Sequence, residues 1–103
     1  MIDREETYRD QTTGETVLAL QFGLTLESLI ACRFFLRGHF VDLLEPKDKD
    51  SPKACLIIQP DLARPQKASV FPYDWMVKRS SGVMETFEEG LFLLIFNKME
   101  TNP

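Results

Sequence analysis

The sequence predicts an α+β domain in which one helix packs on a small, mainly antiparallel and strongly curved sheet of about five strands. Three observations support this fold class. Residues 73–87 have the pattern of a β-hairpin, residues 25–37 have the pattern of a helix, and several short apolar runs are separated by turn residues. The length of 103 residues fits a single domain with one modest core, and we expect loose ends at about 1–12 and 97–103.

The hairpin pattern is the clearest local signal in the chain. Its two arms, residues 75–78 and 83–87, alternate so that each arm has one face that can be buried. The Ser-Ser-Gly loop between them ends at Gly82, which can adopt the positive φ that a short hairpin loop requires. We therefore expect the other apolar segments to pack around this hairpin.

A strand and a helix come earlier in the chain. Residues 16–22 are β-branched and apolar, which favours a strand. Thr25 is a typical N-cap residue and Gly38 is typical of a helix end, so we expect a helix over residues 25–37. The apolar side chains that recur at helical spacing, and that we expect to pack on the sheet, are Leu26, Leu29, Ile30, Phe34, Phe35 and Leu36.

Short apolar runs predict the other strands. For residues 40–44 a strand is favoured over a continuation of the helix, 54–59 is predicted as a central strand, and 66–71 as a further one. Alternating charges and two prolines in 45–53 indicate a solvated loop. Residues 88–90 are predicted to be a turn.

Residues 91–96 are apolar without interruption, and we expect them to form the last strand. A strand that is apolar on both faces must be buried on both, or it must meet another chain. Two alternatives stay open: central burial within the domain, or a homodimer through the segment from Leu91 to Phe96.

Two motifs resemble a group of small tailed-phage and prophage proteins of unknown function. The first is similar to that group's N-terminal strand, Y-R…V-x-A-x-Q-F, and the second to its C-terminal hairpin, P-G-D-W-x-V, with a later glycine. The residues that carry the likeness are Tyr8, Arg9, Val17, Ala19, Gln21, Phe22, Pro72, Asp74, Trp75, Val77 and Gly82. Tyr73 stands where the group usually has Gly. The resemblance implies a phage origin and transfers no catalytic residues.

The composition argues against an enzyme. Sixteen acidic residues against twelve basic ones give a net charge of -4, so a basic face for direct nucleic-acid binding is not expected. The single His39 and the widely spaced Cys32 and Cys55 match no zinc-ligand or nucleophile–base pattern. No phosphate-binding glycine motif occurs. We expect two reduced, buried thiols, no catalytic residue, no metal and no cofactor.

The candidate binding residues cluster on the hairpin and the turn after it. They are Tyr73, Asp74, Trp75, Lys78, Arg79, Glu85, Glu88 and Glu89. The basic ones, with Arg64 and Lys67, would form a small patch beside Tyr73 that holds a nucleotide or an RNA strand by charge and stacking. The acidic ones would oppose a basic partner. The alternative for each is a solvated or turn-capping side chain.

Binding to a host protein is the function that we expect, because the chain is small, mildly acidic, free of catalytic patterns and similar to phage proteins. Such binding would, for instance, inhibit a host defence system, as an anti-CRISPR protein does. One alternative is a module that sequesters a nucleotide or another small ligand, and a second is a virion or assembly component. We expect the protein in the host cytoplasm and no membrane association, since the longest apolar run has six residues where a membrane helix needs about 20.

Overall fold

The fold was obtained as a computed structural model, which describes residues 5–44 and 54–99. In chain order its elements are β1 (Glu6–Asp10), β2 (Thr16–Gln21), α1 (Leu26–Phe35), β3 (Phe40–Leu44), β4 (Cys55–Ile58), β5 (Ala68–Val70), β6 (Trp75–Lys78), β7 (Met84–Phe87), α2 (Glu89–Ile95) and β8 (Phe96–Lys98). The α+β class is confirmed. The loop predicted at 45–53 lies outside the described residues.

The strands form two antiparallel sheets. One has the order β7-β6-β2-β1-β8, and the other has the order β3-β4-β5. The antiparallel pairing is confirmed, but the expectation of a single, strongly curved sheet was wrong. Helix α1 carries the chain away from β2, and β4 then bonds to β3 on one side and to β5 on the other. Only β4 is therefore paired on both sides, and β3 and β5 are the edges of this second sheet.

Two apolar cores lie on opposite faces of the five-stranded sheet. Leu20 pairs with Met76 and Ala19 with Val77, and successive residues of a strand point to opposite faces. The Leu20 face packs against α1 and the three-stranded sheet, with Phe35, Leu36, Leu56, Ile58 and Val70 among its buried residues. The Ala19 face packs against the segment of α2 and β8, with Tyr8, Val17, Phe92 and Phe96. The two helices therefore lie on opposite sides of this sheet.

The hairpin expected around Gly82 is confirmed. Strands β6 and β7 pair from Trp75 with Phe87 to Lys78 with Met84, and Gly82 has a φ of 93°. The strands expected at 40–44 and 66–71 are also found, and β4 is central in its own sheet.

The last apolar run was predicted wrongly. From Glu89 to Ile95 it is helical, and β8 begins only at Phe96. Leucine is among the better helix formers, and this run is rich in leucine with a single β-branched residue, Ile95. The turn predicted at residues 88–90 is instead the start of this helix, with Glu88 as the N-cap residue and residues 89–90 as its first two residues. Because a helix bonds its own backbone, pairing between copies through this run as a strand has no basis.

The chain ends also depart from expectation. Strand β1 lies within the segment expected to be loose at 1–12, and β8 takes up the first residues of the tail expected at 97–103. Tyr8 is buried and pairs with Val17 on one side and Lys98 on the other. These pairings hold both segments in the sheet.

Helix α1 begins where the sequence indicates, but it packs by a different face. The Thr25 hydroxyl accepts a hydrogen bond of 3.0 Å from the backbone N–H of Ser28, which confirms the N-cap. Ser28, Cys32 and Phe35 are the buried helix residues, whereas the residues predicted to face the sheet include three that face outward: Leu26, Ile30 and Phe34. The helix has apolar residues of its own on most sides, so the spacing of apolar residues in the sequence does not show which side is buried.

Candidate functional site

Arg79 is the centre of a charged cluster on the α2 side of the five-stranded sheet. Its Nη1 lies 2.7 Å from Oδ2 of Asp10 and 3.5 Å from Oε2 of Glu15, and its Nε bonds Oε1 of Glu85. Only 17% of the Arg79 side chain is exposed, and its guanidinium lies over the Phe96 ring. A guanidinium shared by three carboxylates ties the hairpin to β1 and is not presented to a ligand.

Asp10 is the buried member of this cluster. Its Oδ1 accepts hydrogen bonds from the backbone N–H and the hydroxyl of Thr12, at 2.8 and 2.6 Å. These bonds, together with the one from Arg79, hold the pKa of Asp10 far below the usual range of an aspartate, against the opposing effect of burial. Asp10 is therefore ionised wherever the protein is folded at moderate pH.

The aromatic residues of the hairpin divide between core and surface. Trp75 stacks on Phe92 with ring centroids 4.1 Å apart, and the Tyr8 ring meets its edge at 5.5 Å. Tyr73 is 55% exposed, has a positive φ of 73°, and accepts a hydrogen bond at its carbonyl from Gln21. One face of the indole is thus already covered by Phe92, whereas more than half of Tyr73 is exposed.

The other hairpin candidates have structural partners as well. Asp74 accepts a bond from the backbone N–H of Phe71, which is the turn-capping alternative, and Lys78 lies over the Phe35 ring. Glu89 accepts a bond of 2.6 Å from Nε2 of Gln21.

Lys78 and Arg79 project to opposite faces of the five-stranded sheet, since they are consecutive on one strand arm. The exposed Arg64 is 3.7 Å from Asp61. The structure therefore does not bring Tyr73, Trp75, Lys78 and Arg79 together into a nucleotide site.

Helix α2 presents an apolar surface that the sequence did not reveal. Phe92 is fully buried, while Leu91, Leu93 and Leu94 are 50%, 59% and 77% exposed. The exposed Glu88 stands directly before the helix. We call Leu91, Leu93, Leu94 and the two glutamates Glu88 and Glu89 the α2 face. The sequence analysis missed this surface because it expected residues 91–96 as a strand that is buried on both faces or meets another chain, whereas residues 89–95 are helical.

A second apolar surface covers the outer side of α1. Leu26, Ile30 and Phe34 are 69%, 48% and 77% exposed, and they follow one another at four-residue intervals. We call these three residues the α1 stripe. Four-residue spacing places them in one row along the helix.

The histidine and the two cysteines are all buried. His39 is buried and its Nδ1 lies 2.7 Å from the carbonyl oxygen of Gln59. Cys32 and Cys55 are buried and not disulfide-bonded, as expected. In residues 5–44 and 54–99, no group of three or more His, Cys, Asp or Glu side chains is placed to hold a metal ion. None of the helices in those ranges is long and apolar enough to span a membrane.

Comparison with known proteins adds no relative. No protein-family model, curated protein or solved structure matches the chain.

Proposed function

We propose that this protein acts by binding another protein through the α2 face. The observation that supports this is the exposure of three leucines on a seven-residue helix whose Phe92 and Ile95 pack in the core on that side of the sheet. Burying one leucine side chain is worth about 1.5–3 kcal/mol, so three outward leucines are a source of binding energy. Contiguous exposed apolar surface with a polar rim is typical of interaction sites.

The charges on the α2 face define the partner. Glu88 and Glu89 stand at one end of the leucines, and the hydrogen bond from Gln21 fixes the Glu89 carboxylate in place. The whole chain has a net charge of -4. A partner with an apolar pocket rimmed by Lys or Arg side chains would match this surface, and the rim charges would speed association.

The resemblance to tailed-phage and prophage proteins makes a bacterial host protein the expected partner. A component of a host defence system is the candidate we favour, with inhibition as the outcome of binding. The exposed leucines supply affinity without any catalytic group, which is what an inhibitor that acts by occupancy needs.

The direct test begins with capture from a bacterial lysate at low salt, identification of the bound chain, and its purification. Calorimetric titration then compares the wild type with Leu94→Glu and with Leu62→Glu, a matched change at a leucine that is 55% exposed in the loop after β4. Leu94→Glu should weaken binding at least tenfold, which corresponds to about 1.4 kcal/mol. Leu62→Glu should bind like the wild type, and both variants should melt at the wild-type temperature.

Charge is tested separately. Glu88→Lys should slow association and reduce its dependence on salt, with a smaller effect on dissociation.

Co-production with the captured defence component should inhibit that component, and Leu94→Glu should abolish the inhibition. Recovery of no protein, or equal binding by the Leu94→Glu variant and the wild type, would refute the proposal.

A further inference from the structure

The α1 stripe is a separate surface that the proposed function leaves unused. Its three residues face solvent, while Ser28, Cys32 and Phe35 on the opposite side of the helix are buried. Helix α1 is thus apolar around most of its circumference, and a helix of that kind is normally covered on all sides. Because α1 and α2 lie on opposite sides of the five-stranded sheet, one partner docked on α2 cannot cover this stripe.

The order of residues on α1 is symmetric about Ile30. Leu26 and Phe34 stand four residues before and after it, and Glu27 and Arg33 stand three residues before and after it. All five side chains are exposed. An acidic and a basic residue at equal distances from the centre of an apolar row make a surface that is complementary to itself when it is turned through 180°.

We propose that the protein forms a two-fold symmetric homodimer in which the α1 stripes of two copies pack antiparallel, with Ile30 on the symmetry axis. Each Leu26 then lies at the level of Phe34 of the second copy. Each Glu27 lies at the level of Arg33 of the second copy, within reach of its long side chain. A parallel arrangement would instead set Glu27 against Glu27 and Arg33 against Arg33, and it is disfavoured for that reason.

An apolar groove at the N-terminal end of the stripe provides space at this interface. It has a volume of about 210 Å³, and an apolar cavity of about 150 Å³ is large enough for benzene. Its apolar lining includes Phe22, Leu24, Leu26, Leu29, Leu43 and Ala54. In the antiparallel pair, the exposed ring of Phe34 from the second copy reaches the level of Leu26 at the mouth of this groove.

The interface is small, so the dimer belongs to the weak class and its measurement needs concentrations of about 100 µM. Both α2 faces remain free in it, since they point away from the α1 stripes. Neither the dimer nor its test depends on the partner proposed for α2.

Sedimentation velocity at about 100 µM tests the dimer directly. The average mass of the wild type should rise with concentration toward twice the monomer mass. Ile30→Asp should stay a monomer, because two aspartates would meet on the axis. Leu94→Asp, a matched change on the opposite side of the molecule, should leave the dimer intact. A monomeric wild type at this concentration, or a dimeric Ile30→Asp variant, would overturn the proposal.

Cysteine crosslinking tests the position of the axis. Packed helix axes lie about 8–10 Å apart and Cα atoms about 2.3 Å from each axis, which places the two Ile30 Cα atoms about 3.4–5.4 Å apart. That range overlaps the Cα separation of disulfides. Ile30→Cys should therefore oxidise rapidly to a linked dimer, while Leu62→Cys should not. Equal rates for the two variants would exclude Ile30 from the axis.

A charge exchange tests the antiparallel order. Glu27→Arg alone and Arg33→Glu alone should each weaken the dimer about tenfold, because each replaces two attractive pairs with two repulsive ones. The double variant should recover wild-type dimerisation to within about threefold. Failure of the double variant to recover, with both single variants folded, would rule out the antiparallel arrangement.

Discussion

Replacing Asp10 with Asn should destabilise the fold by about 3 kcal/mol. Asp10 is 2% exposed, and its carboxylate bonds Arg79 at 2.7 Å as well as the backbone and hydroxyl of Thr12. Breaking a buried ion pair by removing one charge typically costs about 3–5 kcal/mol. The lower end applies because Arg79 keeps Glu15 and Glu85 as partners.

The loss should be visible in urea unfolding followed by the fluorescence of Trp75, the one tryptophan in the chain. For a domain of this size, about 3 kcal/mol corresponds to a fall in melting temperature of roughly 12–24 °C. Asp61→Asn is the matched control, because Asp61 pairs with Arg64, whose side chain is 75% exposed. An exposed pair of that kind is worth at most about 1 kcal/mol.

The difference between the wild type and Asp10→Asn should shrink in acid. Because the pKa of Asp10 is lowered in the folded state, the folded protein binds fewer protons than the unfolded chain near pH 4. The stabilisation from Asp10 is therefore fully present above the unfolded pKa of about 3.9 and declines as the pH falls below it. The variant has no such carboxyl group and lacks this component of the pH dependence.

Two results would refute this account of the Arg79 cluster. One is a free energy of unfolding for Asp10→Asn within about 0.5 kcal/mol of the wild type at pH 7, which is the range of ordinary surface substitutions. The other is a difference that stays constant between about pH 7 and pH 2.5.

Phe92→Ala should cost about 3–5 kcal/mol and shift Trp75 emission to longer wavelength, because Phe92 is fully buried and stacked on the indole; unchanged emission would contradict the stacking. Thr25→Ala should cost about 1 kcal/mol in urea unfolding through loss of the α1 cap, and no loss would mean that the cap is not formed. Gly38→Ala should cost about 1–2 kcal/mol because Gly38 has a φ of 83°. Gly90→Ala, inside α2 with free space around its Cβ position, should instead stabilise by about 0.5–1 kcal/mol; the same sign for both glycines would contradict this reasoning.

Local preferences in the sequence were sufficient for several elements of the fold. Gly82 marked the hairpin, because few other residues tolerate the positive φ of its loop. Thr25 marked the start of α1, because its hydroxyl satisfies a backbone donor three residues away. These features depend on neighbours within a few positions, so they can be read without knowledge of the rest of the chain.

The surroundings of the candidate binding residues could not be predicted from the sequence. The hairpin residues singled out for binding include Arg79, which the fold uses to join strands by pairing with Asp10, 69 positions away. The leucines of the α2 face were expected in a strand. Their exposure follows from the burial of Phe92 against Trp75, a contact between segments that no local pattern specifies.

By itself the sequence determined the α+β class, most strand positions, the start of α1 and the absence of recognisable catalytic patterns. Only the tertiary structure decided that residues 89–95 form a helix, that the strands divide into two sheets, and which side of α1 faces outward. The physical reason is the distance along the chain over which each kind of interaction acts. Backbone preferences act over a few residues, whereas the choice of a buried face depends on which distant side chains complete the core.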